Sequence, residues 1–504
     1  MTKPNFFDSN YQNKEIKRIL LIDANDQRRW VGSRVEPEIH IPPLGLLYIA
    51  SYALKHNPKL EIKIIETSLD ASSEEIYYAC LDDFRPDMVG IRSICMFFDE
   101  FKRITELTKT WGDVPVIGGG PIAATKRDIL LKEMDCLDLV AVGEGERTFS
   151  RLLEGEPLGS IEGLLYRSKE GIVNTGLPKI VENLDDLPFP DFTLVKHDRY
   201  KEKLSYTYNY RTQGVLLTSR GCPYQCTYCN TFAGKTVRLR SAENVFEEMD
   251  RLWKSYGIED FYFVDDVFNI NKERTRKIFQ TISHERRNWK LYLVNGIRAD
   301  LMTHELVDLM VDAGTVWVTY GIETASPRIQ KLIKKQLDLK KAADIINYTQ
   351  DKGIVVNIDT MYGFPSETPE EAQLTLNYLG QLNIPSLLPY HFRLRLFEGC
   401  EIISQAQEAG WDTDSQLVDN VLPYNSFPDG TPTFPRQDMM EHVIEYHERF
   451  GMENTDHVKR SIEILKKIGY TDRDIVAMYS VLQNQPFHSI TQIVSGKKAM
   501  GASL

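Results

Sequence analysis

Three cysteines, Cys222, Cys226 and Cys229, stand in the stretch SRGCPYQCTYCN at the spacing C-x3-C-x2-C. Thiolates this close together, on a loop opened by Gly221 and Pro223, can hold three corners of a cubane iron–sulfur cluster and leave the fourth iron open to an outside ligand. Structural zinc needs a fourth ligand at similar local spacing, and the nearest histidines, His197 and His284, are remote in sequence. A reactive dithiol would use two of the three and leave the third unexplained. Cys80, Cys95, Cys136 and Cys400 are scattered, as buried small hydrophobes are. Seven cysteines in 504 residues, three of them bunched, make no disulfide framework and point to metal in a reducing cytosol.

The elements that must carry this loop read as α/β. The apolar run GVLLTS (214–219) leads directly into it. Five more runs follow: DFYFVDD (260–266), KLYLVNGIRAD (290–300), TVWVTYGIET (315–324), IVVNIDTMYGF (354–364) and LLPYHFRLRLF (387–397). Six β/α units predict a partial (β/α)6 barrel over residues 191–424, with its chemistry at the strand carboxyl ends. Upstream, KRILLI (17–22), LEIKIIE (60–66), MVGIRS (88–93), VPVIGGG (114–120) and LDLVAVGEGE (137–146) alternate with stretches of helical spacing. That alternation predicts a doubly wound, Rossmann-like parallel sheet over residues 1–190, with a ligand beyond its strand ends. Asp23, Ser93, Gly118, Gly119, Gly120 and the Gly143–Glu146 loop occupy those ends; they either form a cofactor cleft or only make tight turns. The segment ENLDDLPFPDF (182–192) breaks the pattern and marks the boundary. Residues 425–504 read as a small, mainly helical region without an assigned role.

The motif C-x3-C-x-Tyr-C after the first strand of a β/α barrel resembles the radical S-adenosylmethionine superfamily. The resemblance implies a four-iron four-sulfur cluster whose open iron chelates the amino and carboxylate groups of S-adenosylmethionine, and an electron donor such as flavodoxin or ferredoxin. Tyr228 matches the aromatic residue near the adenine, with plain core packing as the alternative. Asp265 and Asp266 match the motif that holds the methionine amine, or else cap the helix that begins near Asn271. Arg298 and Glu323 match positions that contact the cofactor's carboxylate or ribose, or else form a barrel salt bridge. Gly363 matches the glycine that lets backbone approach adenine.

The N-terminal domain resembles that of the cobalamin-binding branch of the same superfamily, over about residues 15–420 in all. On that resemblance Ser93 and Gly118–Gly120 line the lower face or nucleotide tail of the corrinoid. The Asp-x-His-x-x-Gly signature, whose histidine ligates cobalt in other cobalamin proteins, is absent from the domain. The implied activity is methylation of an unactivated carbon in a small molecule, lipid or peptide. Non-methylating radical chemistry on the same scaffold, such as rearrangement, cyclisation or dehydration, is the alternative; an RNA-modifying or methylthio-transferring enzyme is the second.

Sixty basic and seventy-two acidic residues give a net charge of -12, which disfavours extended contact with a phosphate backbone. Nucleic acid is therefore not the expected partner. The N-terminus shows no apolar signal core and no run of about 18 apolar residues spans a bilayer, so a cytoplasmic protein is expected.

Overall fold

The computed structural model describes residues 16–25, 40–195, 197–201, 203–230, 233–285, 287–383, 391–413, 430–451 and 454–483. The first sheet has seven strands: β1 (Arg18–Asp23), β2 (Glu61–Glu66), β3 (Met88–Arg92), β4 (Val116–Gly119), β5 (Leu139–Ala141), β6 (Leu164–Ser168) and β7 (Gly171–Asn174), in the order β2-β1-β3-β4-β5-β6-β7. Strands β1 to β5 are parallel. The short apolar run ILLI in β1 is buried on both faces, as an interior parallel strand requires. Strands β6 and β7 depart from the expected all-parallel sheet. They pair antiparallel with β5 and with each other; the two residues that join β6 to β7 allow only a hairpin, since a parallel return needs a long crossover.

A second sheet holds β8 (Gln213–Leu216), β11 (Asp260–Phe263), β12 (Lys290–Ile297), β13 (Thr315–Glu323), β14 (Val355–Tyr362) and β15 (His391–Arg393). All six are parallel and neighbours in chain order, which is the expected partial β/α barrel. Between β8 and β11, the short strands β9 (Ser219–Arg220) and β10 (Arg238–Leu239) pair antiparallel and clamp the two ends of the cysteine loop. Helices cover the outer face of the barrel. Ala242–Tyr256 starts at Ser241, whose side chain accepts the Asn244 amide; Pro369–Leu379 starts with a capping box between Thr368 and Glu371.

The two sheets do not have fully separate cores. One apolar cluster runs from Ile19, Leu47 and Ala50 through Phe192 and Val195 to Leu216, Phe261 and Val318. The hinge between the sheets is thus packed, and motion there has to break core contacts. The C-terminal region is helical, with Arg436–Phe450, Thr455–Lys467 and Asp472–Gln483. Its Leu465, Tyr470, Ile475 and Met478 pack on Tyr262, Tyr292, Trp317 and Val355 at the amino ends of the barrel strands. Tyr470 donates to the Thr207 carbonyl at 2.7 Å, and Asn209 donates to the Tyr470 hydroxyl at 3.3 Å. The last two helices therefore close the barrel end opposite the cysteine loop, while Arg436–Phe450 packs through Met439 and Val443 on Tyr362 and Ala372. Among the described residues no helix is long and apolar enough to cross a membrane.

Candidate cluster and cofactor site

The cysteine loop is shaped by backbone. Gly221 has φ +88, and a Cβ there would lie 2.3 Å from the Thr236 carbonyl oxygen, so only glycine fits. The Cys222 amide donates to the Gly234 carbonyl at 3.1 Å and the Cys229 amide to the Cys226 carbonyl at 3.2 Å. Thr227 ties the loop to the barrel: its amide donates to the Ile333 carbonyl, and its carbonyl accepts from the Ile402 amide at 2.8 Å. Burial, then the Cys226 and Cys222 sulfurs, push the Cys229 thiol up to about 12. Three thiols on one short loop offer one thiolate to each of three irons, the donor set that a cubane with one open iron takes.

Bulges re-aim the strand ends beside the loop. Register slips between Gly321 and Glu323 in β13, and Glu323 takes φ 66, a strained value for a side-chain-bearing residue. Glu323 then accepts from Lys335 Nζ at 2.9 Å, with both side chains about 11% exposed. Burial, then the Glu323 carboxylate, hold the Tyr228 phenol well above its ordinary value. Burial and then Glu323 also push Asp359 up to about 8, against the pull of Lys335. Tyr228 further packs edge-on against Phe364, with ring centroids 6.5 Å apart. Glu323, Lys335, Asp359 and Tyr228 thus form one buried polar patch beside Cys226.

Several expected contacts fall elsewhere. Asp265 is 2% exposed and accepts from the Thr218 amide and hydroxyl at 2.9 Å and the Ser219 hydroxyl at 2.5 Å; it pins β8 to β11. Neither aspartate caps the next helix, because Asn271 accepts from the Arg274 amide there. Asp266 is the exposed member of the pair, lying against Gly221 and the Cys222 and Cys229 sulfurs. Arg298 spends its fork on Asp300, at 3.1 and 2.7 Å, gives a third N–H to the Lys335 carbonyl, and stacks on Tyr224 at 4.1 Å. Arg298 thus has the salt bridge that was the alternative to cofactor contact. Gly363 takes φ +74 in a turn whose amide donates to Glu367 at 2.5 Å, and its open side faces Met439 and Arg393.

A cleft of about 360 Å³ lies between the two sheets. Gly118, Gly119 and Gly120 line it from the first sheet, with Gly143–Glu146; Leu217, Arg220, Val264 and Asp266 line it from the barrel. A Cβ on Gly119 would meet nothing within 4 Å, so this strand end offers a bare backbone floor to a flat ligand. Ser93 is not on that floor: it is fully buried and donates to the Ala24 carbonyl at 3.0 Å. Among the described residues that line the cleft there is no histidine.

Arg220 and Arg238 hold the cleft together. Arg220 reaches Glu144 at 2.8 Å and Glu146 at 2.6 Å, and Arg238 pairs with Glu144 and donates to the Val181 carbonyl. Burial opposes the Glu146 charge, but Arg220 outweighs it and holds the carboxyl below its ordinary value. Sequence reasoning did not single out Lys335, Asp359, Arg220 or Arg238. Arg220 had a signal in its place immediately before the cysteine loop; Lys335, in a run of charged residues, had none.

A partial β/α barrel with three cysteines at its first strand end, facing a Rossmann-like sheet across a shared cleft, defines an enzyme class that carries a cluster and a second large cofactor. The radical SAM superfamily model matches residues 216–379, and the B12-binding domain model matches residues 33–153. An uncharacterized methyltransferase of Pyrococcus horikoshii is 31% identical over 355 residues, covering 68% of this chain and 74% of the relative. Cytidylyl-2-hydroxyethylphosphonate methyltransferase of Streptomyces wedmorensis is 30% identical, with the same coverage of both chains. The radical S-adenosylmethionine methyltransferase TsrM of Kitasatospora setae, solved with cobalamin and a [4Fe-4S] cluster, superposes with a TM-score of 0.62 at 20% identity, over 78% of this chain and 75% of that one. The chain belongs to the radical S-adenosylmethionine superfamily, in the branch that carries a cobalamin-binding domain. Its cofactors are accordingly a 4Fe-4S cluster, S-adenosylmethionine and cobalamin, and its reaction needs a reductant and a substrate.

Proposed function

We propose that the protein is a cobalamin-dependent C-methyltransferase acting on an unactivated carbon. The observation that carries this is the single cleft in which the glycine floor of the first sheet faces Asp266 and Arg220, the residues flanking the cysteine loop. When bound, the cluster supplies the electron that cleaves S-adenosylmethionine to the hydrogen-abstracting 5′-deoxyadenosyl radical, and cobalamin supplies the methyl group. Cys222, Cys226 and Cys229 hold the cluster on a loop that Gly221 and Thr227 keep in shape. Asp266 is the carboxylate available to the methionine amine, and Glu323, held in place by Lys335, takes ribose hydroxyls beside Tyr228. Gly118–Gly120 cradle the corrinoid without a protein imidazole. The closed lower end of the barrel keeps water from the radical, and packed strand ends hold the reacting groups in place.

The functional units are residues 1–190, 191–424 and 425–504, acting in the cytoplasm with flavodoxin or ferredoxin as electron donor. Two relatives named as methyltransferases, at 31% and 30% identity, support the methyl-transfer reading. The test is anaerobic reconstitution with iron, sulfide and methylcobalamin, followed by absorption and paramagnetic spectra of the desalted protein. Retained cobalamin with a reducible cluster is expected. A cluster without retained cobalamin would overturn methyl transfer and leave a non-methylating radical enzyme.

A further inference from the structure

We propose that a second chamber beside the corrinoid cleft holds the substrate, and that the substrate is a small polar molecule with hydrogen-bonding groups, not a lipid. The proposal rests on the methyltransferase reading for the reaction but not for the binding.

The chamber has a volume of about 400 Å³ and sits at the carboxyl ends of β1, β2 and β3, facing Val215 and Val264 of the barrel. It shares Leu44, Gly45, Arg92 and Val264 with the corrinoid cleft. Two residues past Val264, Asp266 turns onto the cysteine loop. A molecule in the chamber therefore adjoins both the corrinoid floor and the strand end that leads to the cluster. That is the position a carbon must occupy to lose hydrogen on one side and gain a methyl group on the other.

The walls set polar groups among apolar side chains such as Ile41, Ile94, Phe97, Val215 and Val264. Asp23 and Glu66, at the ends of β1 and β2, are 6% and 5% exposed. Asp23 accepts from Arg92 Nη1 at 2.7 Å and from the Asn25 amide group at 2.7 Å. Glu66 accepts from Arg199 Nη2 at 2.7 Å and from the Tyr200 hydroxyl. Each carboxylate in the wall is matched by a cation, so the chamber offers hydrogen-bonding edges without a large surplus of charge. A ligand without polar groups would suit the apolar part of this wall but leave the polar edges of Asn25, Ser68 and Arg92 desolvated without a partner, which is unfavourable. A hydroxyl-, amide- or amine-bearing molecule replaces the lost water bonds. The volume, in the lower part of the roughly 300–1,000 Å³ range of small-molecule sites, suits such a compound better than an extended lipid.

The experiment uses the reconstituted holoenzyme with titanium(III) citrate, S-[methyl-2H3]adenosylmethionine and, as probes, the aqueous metabolite fraction or the chloroform-soluble lipid fraction of one cell extract. Formation of 5′-deoxyadenosine reads substrate binding, and deuterium in a product reads methyl transfer. The aqueous fraction is expected to stimulate 5′-deoxyadenosine formation. Val215→Trp and Ser68→Phe, which fill the chamber from opposite walls, should each cut that stimulation at least about tenfold while retaining the parent's iron and cobalamin content. Stimulation by the lipid fraction instead, by neither fraction, or undiminished in both filled variants overturns the chamber. Stimulation by the aqueous fraction without deuterium transfer supports the chamber and overturns only the methyltransferase reading.

Discussion

Arg220 Nη2 donates to Glu146 Oε1 at 2.6 Å, across the line where the barrel meets the Rossmann-like sheet. Arg220 immediately precedes Gly221 and Cys222, and Glu146 begins the helix after β5. One ion pair thus fixes the entry to the cysteine loop against the rim of the cobalamin cleft. Arg220→Leu leaves Glu146 buried without its cation and Glu144 with Arg238 alone, a loss of about 3–5 kcal/mol for a fully buried pair. The expected outcome is a lower unfolding midpoint together with poorer cobalamin retention after desalting. A midpoint and retention equal to the parent's would show that the pair contributes nothing.

Gly221→Ala tests the loop separately from its ligands. The new Cβ has to move the Thr236 carbonyl, and the alanine has to hold a left-handed backbone that costs it about 1 kcal/mol or more. Circular dichroism should match the parent, while iron bound after reconstitution falls well below it. Full iron content in this variant would remove the glycine from the account.

The ion pair between Lys335 and Glu323 predicts a cofactor effect. In Lys335→Met, Glu323 loses the partner that fixes its side chain at 2.9 Å, so its grip on ribose hydroxyls weakens. Equilibrium dialysis of reconstituted protein should show S-adenosylmethionine binding about tenfold weaker, equivalent to about 1.4 kcal/mol. Unchanged binding would place the pair outside the cofactor site.

A buried histidine pair ties the last barrel strand to the C-terminal region. His391 Nε2 and His442 Nε2 lie 2.8 Å apart, Thr360 meets His391 Nδ1 at 2.8 Å, and Tyr362 and Tyr446 flank the pair. Burial, then His442 and His447, hold His391 well below its ordinary value. Burial lowers His442 to about 4, against the pull of Glu445. Depressed histidines are bound neutral, so the stability they confer is present above pH 6.5, the ordinary histidine value, and is lost as pH falls toward about 4. For His442 alone the loss across that window is about 3 kcal/mol. Thermal unfolding at about pH 7.5 and about pH 5 should show the midpoint falling on acidification, and His442→Phe should flatten the difference. A variant as acid-sensitive as the parent would contradict this.

The cysteine loop was legible in the sequence because its ligands are adjacent and its strand is a clean apolar run. The barrel strands and the glycine floor were legible for the same local reason. What escaped was set by distance or by partner choice. Asp265 and Asp266 are neighbours on the chain, yet strand alternation buries one against Thr218 and Ser219 and turns the other to the loop. Arg298 carries the right group for a carboxylate, but Asp300, two residues on, takes its fork. Lys335 sits between residues of positive φ, Lys334 and Gln336, in a turn that aims it inward; its charged neighbours make it look like surface. The shared core of the two sheets arises from contacts some two hundred residues apart, which no local pattern announces.

If Cys222, Cys226 and Cys229 hold a cluster that cleaves S-adenosylmethionine beside cobalamin, 5′-deoxyadenosine forms anaerobically in the reduced, cobalamin-loaded protein and not in Cys226→Ala under the same conditions. The variant should still bind cobalamin through Gly118–Gly120. Cleavage of S-adenosylmethionine by Cys226→Ala at the parent's rate would contradict the cluster assignment.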